Sequence, residues 1–377
     1  MKKLTNIQID RKERLRRKRQ RRNLKRRLLA IAKKFARVDF IKKSHKHVSQ
    51  NIEIEPNRVS IELPENISLT TNYKETIEFI NKLRDFVIVK NMPVMLHFDN
   101  VVSVSPAAAL VMTAEIYRCR NLRPGRNGVV PVNGNWPEDP RARKILKDMG
   151  FYKLMNLPDR APTEESEEQD LKIHLGFASL NTVNASAIAE FHEKILAGFD
   201  VSLSKTDKKK LQGAIIEAIG NATEHAYKSP TDLQSMKKRS WMSGYIDIAT
   251  NELMFMVMDQ GVGIPNTLDP TLVERMISLR RLKPQPTDSD LIGIAATLRR
   301  TSTQVSGRGK GIDTMKRLIT TVGNGELRIF SNKGLYMFDS SSKESRFEQD
   351  GSIGGTLIQW KLKPLKRPTQ NGLPDSN

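Results

Sequence analysis

Residues Leu211 to Tyr227 read LQGAIIEAIGNATEHAY, a run whose polar spacing could support chemistry. Glu217 and Asn221 are four residues apart, so on an α-helix a carboxylate and a carboxamide stand one above the other on one face. Leu211, Ile215, Ile219, Ala222 and Ala226 form an apolar stripe on roughly the opposite face, suited to packing on a sheet. Alone, the polar pair reads equally well as a solvated helix face. Three further groups follow. Met258-Asp259-Gln260-Gly261-Val262-Gly263-Ile264 sets a carboxylate and two glycines after an apolar strand. Gly307-Arg308-Gly309-Lys310-Gly311-Ile312 opens a second helical pattern. Its glycines would expose backbone N–H groups just before a helix N-terminus, an arrangement that suits phosphate, with Arg308 and Lys310 adding positive charge. The plainer alternative is a flexible glycine loop. Gly354-Gly355-Thr356-Leu357-Ile358 enters a final strand.

In this order, the four groups resemble the motifs of the gyrase, histidine-kinase and mismatch-repair ATPase superfamily. Glu217 and Asn221 match its first box, Asp259-x-Gly261-x-Gly263 the second, Gly307-x-Gly309-x-Gly311 the third, and Gly355-Thr356 the terminal strand motif. The resemblance covers Leu171 to Leu362, about half of the chain. The run Glu217-Ala218 to Asn221-Ala222, with His225 and Tyr227, looks most like the anti-sigma-factor serine kinases.

The resemblance implies ATP and Mg²⁺ as cofactors. A carboxylate fixed at a strand end can accept from the exocyclic amine of adenine, which makes Asp259 the candidate; a turn aspartate capping its own loop is the alternative. Gly261 and Gly263 would let the backbone approach the base. Thr356 resembles the residue that helps hold the adenine end. Gly307, Gly309, Lys310 and Gly311 would receive the triphosphate. Asn221 resembles the family's metal ligand, and Glu217 its general base, which orients water or a serine hydroxyl for attack on the γ-phosphate. His225 reads as structural or as a phosphate-side polar residue, with a proton shuttle as the alternative. The segment from Asn266 to Ser306 would form a lid. A sensor histidine kinase is a poor reading, because His45, His47, His97, His174 and His192 sit in no phosphoacceptor-like motif.

Composition sets the frame for these motifs. A chain of 377 residues has room for two domains and a tail. No run of about 18 apolar residues occurs, so no membrane-spanning helix is expected. The basic N-terminus has no apolar stretch behind it and does not read as a secretory signal. One cysteine, Cys119, excludes an internal disulfide framework and a cysteine metal cage, and a cytoplasmic location fits. The net charge of +21 is concentrated at one end: residues 1–50 carry 20 Lys and Arg against three acidic residues. Such a block repels itself, and nucleic acid is the obvious polyanion partner.

We therefore expect a basic arm at 1–50, a small α/β domain at 51–157, an acidic linker at 158–170, the ATPase domain at 171–363 and a tail at 364–377. Within the second segment, strands at Arg58–Leu63, Pro93–Phe98 and Val129–Val132 alternate with helices at Lys74–Phe86, Pro106–Tyr117 and Arg141–Met149. That order resembles the sulfate-transporter/anti-sigma-antagonist (STAS) domain. Here the loop that carries the phosphoacceptor serine in that family lacks the usual Asp-Ser-Ser-Gly, and Ser103 and Ser105 read better as caps for the helix that Pro106 begins. The C-terminal unit should be a two-layer α/β sandwich with a largely antiparallel, mixed sheet.

The leading expectation is a regulatory protein serine/threonine kinase or ATPase of the partner-switch type, acting with a protein partner or acceptor. An ATP-gated nucleic-acid-associated module, using the basic arm and ATP-driven homodimerisation, is a second reading. A nucleotide-binding scaffold without turnover is a third.

Overall fold

A computed structural model of the chain describes residues 58–122, 131–157, 172–180, 190, 193, 205–224, 226–227, 239–247, 250, 252–271, 273–274, 285–297, 311–322 and 324–363. The arm, linker and tail expected at the sequence level lie outside these residues. The described fold is mixed α/β, as expected.

The N-terminal unit alternates strand and helix. Strands β1 (Val59–Glu62), β3 (Val94–His97) and β5 (Val132–Gly134) pair in parallel in the order β1-β3-β5, and β2 (Asn66–Ile67) pairs in parallel with β4 (Ser103–Val104). Parallel strands need crossover connections. Helices α1 (Tyr73–Arg84) and α2 (Pro106–Leu122) supply them, followed by α3 (Pro140–Asp148) and the short α4 (Phe151–Leu154). Pro106 opens α2 at a position where its missing N–H costs nothing. Ser105 caps it, its Oγ accepting from Ala108 N at 3.4 Å, whereas Ser103 lies in β4 and bonds Asn66 Oδ1.

The C-terminal unit is built on a seven-stranded sheet in the order β11-β10-β9-β12-β8-β7-β6. Its strands are β6 (Lys172–Leu180), β7 (Ser240–Asp247), β8 (Glu252–Asp259), β9 (Gly325–Ser331), β10 (Gly334–Asp339), β11 (Glu344–Glu348) and β12 (Thr356–Leu362). Among the described residues every pairing in it is antiparallel. Helices α5 (Lys205–Glu224), α6 (Asp288–Thr297) and α7 (Gly311–Val322) complete the unit. Strands β6 and β11 go beyond the sequence reading.

Alternation along the strands divides the side chains between two cores. Leu253, Phe255 and Val257 join Met242, Ile329, Ile358 and Trp360 under α5, α6 and α7, with Phe255 stacked on Trp360 at 4.5 Å. The apolar stripe of α5 lies here, with Leu211, Ile215 and Ile219 fully buried. The other face carries Trp241, Met256, Met258, Phe330 and Leu357, which share a core with α1 and α2. Tyr117 of α2 meets Trp241 edge-on at 5.2 Å, and Tyr73 of α1 stacks on Phe330 at 6.2 Å. The two-layer sandwich expected from the sequence is therefore present, and a third layer from the N-terminal unit covers its second face.

Candidate nucleotide-binding site

Cross-strand register builds the site's floor. Ser240 on β7 pairs with Asp259 on β8, Asp259 with Thr356 on β12, and Thr356 with Ser331 on β9. Four polar residues thus form a row across four adjacent strands at one end of the sheet. Alternation turns them all to the α5 face, since each neighbours a residue of the opposite-face core: Trp241, Met258, Leu357 and Phe330. All four are buried.

Asp259 is the charged member. Its Oδ1 accepts from Gly261 N at 2.8 Å, and the Thr356 backbone also donates to it. Burial raises its pKa from 3.8 to about 7, outweighing both donors. Among the described residues no cation pairs with it. Thr356 Oγ1 and Ser331 Oγ are hydrogen-bonded at 2.9 Å, and Ser331 Oγ accepts from Ile264 N at 2.8 Å. Ser240 Oγ is buried and has no hydrogen-bond partner among the described residues.

The turns beside this row are packed to backbone contact. A Cβ at Gly261 would strike the carbonyl of Ala226, and Val262 N donates to that same oxygen at 2.9 Å. At Gly263 (φ +82°) a Cβ would fall 2.6 Å from Asn332 Oδ1. Gly355, at φ +146°, has a conformation that L side chains resist, and a Cβ there would strike the Asp259 carbonyl. Gly261 and Gly355 therefore serve the close approach of β8, β12 and the end of the α5 segment, while Gly263 makes room for the Asn332 side chain.

That segment links the floor to the first box. Ala226 lies just beyond α5, and the Tyr227 hydroxyl accepts from Gln260 N at 3.1 Å while donating to Arg239 O at 2.8 Å. Burial, then the nearby Asp259 charge, pushes the Tyr227 phenol up to about 12. Glu217 and Asn221 occupy the last two turns of α5 and are partly exposed. Helix α7 begins against them: a Cβ on Gly311 would lie 2.9 Å from Asn221 Nδ2 and 3.0 Å from Glu217 Oε1. A residue with a side chain at Gly311 would have to displace that pair, so glycine here brings the helix start onto the carboxylate and the amide.

Asp259, Gly261, Gly263 and Thr356 thus share one corner of the sheet, and Glu217, Asn221 and Gly311 meet on the helix that ends at that corner. Gly307, Gly309, Lys310 and His225 lie outside the described residues. Of the expected lid, Asp288–Thr297 is helix α6, which docks on the β10–β11 hairpin through Ser289 N to Glu348 Oε2 at 3.1 Å and buries Ile292 and Ile294. Ser240 and Ser331 were missed in the sequence, because only strand register brings them into the row of Asp259, and Asn332 because only the β9–β10 turn brings it to Val262 and Gly263. Tyr227 entered the sequence reading only as part of the family-like run.

No protein-family model and no curated protein matches this chain. No helix among the described residues is long and apolar enough to cross a membrane.

Proposed function

We propose that this chain binds ATP with Mg²⁺ and acts as a regulatory ATPase or protein serine/threonine kinase resembling the anti-sigma-factor kinases. The observation that carries this reading is Asp259: a buried carboxylate in a polar row, with no cation partner among the described residues and glycines at 261, 263 and 355 in the two adjacent turns. Burial without a cation is costly for a carboxylate. An adenine amine would supply the missing donor.

Glu217 and Asn221 support the reaction half. Glu217 Oε1 and the Asn221 carboxamide stand beside the start of α7, where Gly311 keeps the helix N-terminus close, and both side chains carry oxygens of the hard kind that Mg²⁺ takes. Asn221 would offer its amide oxygen to Mg²⁺, and the metal, when bound, would neutralise phosphate charge. Glu217 would orient a water or a serine hydroxyl and take its proton as that oxygen bonds to the γ-phosphorus. The bond to the β-phosphate oxygen then breaks and ADP leaves. Gly307, Gly309 and Lys310 would contact the phosphates, as the family resemblance implies.

The test is γ-phosphate release, or transfer to protein, from radiolabelled ATP by the full chain with Mg²⁺. Turnover in the wild type, with Glu217→Gln slower by about 100-fold or more, supports the role of the general base. Equal turnover in both proteins removes Glu217 from catalysis.

A further inference from the structure

Gln260 joins the site's floor to the N-terminal unit. It follows Asp259, yet its side chain goes to the opposite face of the sheet, where Nε2 donates to Glu115 Oε2 of α2 at 3.2 Å. Glu115 is itself buried, at 1% exposure. Arg118 Nη2 donates to both of its oxygens at 2.7 Å, and Arg84 of α1 donates through Nε at 3.2 Å and Nη2 at 3.1 Å. The same Arg84 guanidinium lies against Gly354, where a Cβ would strike it. One ion triad therefore supports both turns of the floor from behind: Asp259–Gly261 through Gln260, and Gly354–Gly355 through Arg84.

Stability alone does not call for such a group. A buried ion triad is costly to desolvate, and a well-packed apolar replacement often does as well. The triad does fix direction, because a carboxylate saturated by two guanidinium forks leaves one geometry for the Gln260 amide. The backbone N–H of Gln260 is held independently by Tyr227. The residue after Asp259 is thus restrained at both its side chain and its main chain.

We propose that Glu115, acting through Gln260, positions the Asp259 carboxylate, so that the N-terminal unit sets the base preference of a nucleotide site on the far side of the sheet. This rests on the adenine reading given above. Glu115 and Gln260 are positioning residues that touch no substrate.

The experiment compares dissociation constants of the full chain for ATP and for inosine triphosphate, which has the same phosphates and no exocyclic amine. Thermal unfolding is followed in parallel. Gln260→Met keeps volume and loses the bond to Glu115, while Gln260→Asn keeps the amide and falls short of it. The expected result is ATP affinity weaker by about tenfold in both variants, the loss that one hydrogen bond carries, with inosine triphosphate affinity unchanged and the fold intact. An unchanged ATP preference in the folded variants overturns the proposal. So does a parallel loss of both nucleotides with a lowered melting temperature, which would make the triad structural glue. A wild type that binds neither nucleotide overturns the site reading, and the proposal with it. A wild type that binds both equally removes Asp259 as the base reader, and equally leaves Gln260 nothing to position.

Discussion

Glu115 and Asp259 are both buried carboxylates, on opposite faces of one sheet and joined by Gln260, and their environments push them in opposite directions. Burial alone would raise Glu115, but Arg118 and Arg84 outweigh it and hold the carboxyl at about 2. Burial raises Asp259 to about 7 because only backbone N–H groups oppose it. The two groups therefore give stability opposite slopes with pH. Glu115 lies below its ordinary value of 4.5, so its contribution is present above pH 4.5 and is lost as pH falls toward 2. Asp259 lies above its ordinary value of 3.8, so the folded state keeps a proton that the unfolded chain releases, and stability falls as pH rises from 3.8 to about 7. A carboxylate saturated within the protein is a structural element. One left short of donors among the described residues is suited to a ligand that brings its own, and the proposed nucleotide site rests on this contrast.

The contrast breaks most severely at Glu115. Glu115→Ala would leave two guanidinium groups facing a buried site, and we expect a loss of about 3–5 kcal/mol in denaturant unfolding. Asp259→Asn should do the reverse at high pH. Removing this titration should abolish a decline in stability of up to about 4 kcal/mol between pH 4 and pH 7, seen as a flatter curve of melting temperature against pH. A smaller effect sharpens the ligand side. If the ionised carboxylate accepts from adenine, ATP should bind about tenfold more weakly at pH 6 than at pH 8, a trend absent for inosine triphosphate. The smallest concerns the link between the faces. Tyr227→Phe strips the Gln260 N–H of its acceptor and should cost about 1–2 kcal/mol in thermal unfolding.

The sequence made the local parts of this arrangement readable. The stripe Leu211, Ile215, Ile219 is buried as its spacing implies, the alternation before Asp259 gives β8, and Pro106 starts α2. These signals are carried by neighbouring residues. The row Ser240–Asp259–Thr356–Ser331 depends on register between strands far apart in sequence, which no local pattern encodes. Glu115 was equally hidden: within PAAALVMTAEIY it reads as a single charge on a small-residue helix, and Arg118 three residues on completes its burial only together with Arg84, 31 residues away, and Gln260 across the sheet. The third layer was unreadable for the same reason, since alternation shows that a strand has two faces and leaves open what covers each.

The central claim is that Asp259 receives adenine, and calorimetric titration of the full chain with ATP and Mg²⁺, beside Asp259→Asn at pH 8, tests it most directly. The account predicts saturable binding by the wild type and, in the folded variant, a loss of affinity of at least about tenfold, since the amide turns its acceptor into a donor facing the adenine amine. Equal ATP affinity in the two proteins, or no binding by the wild type at millimolar nucleotide, would contradict it.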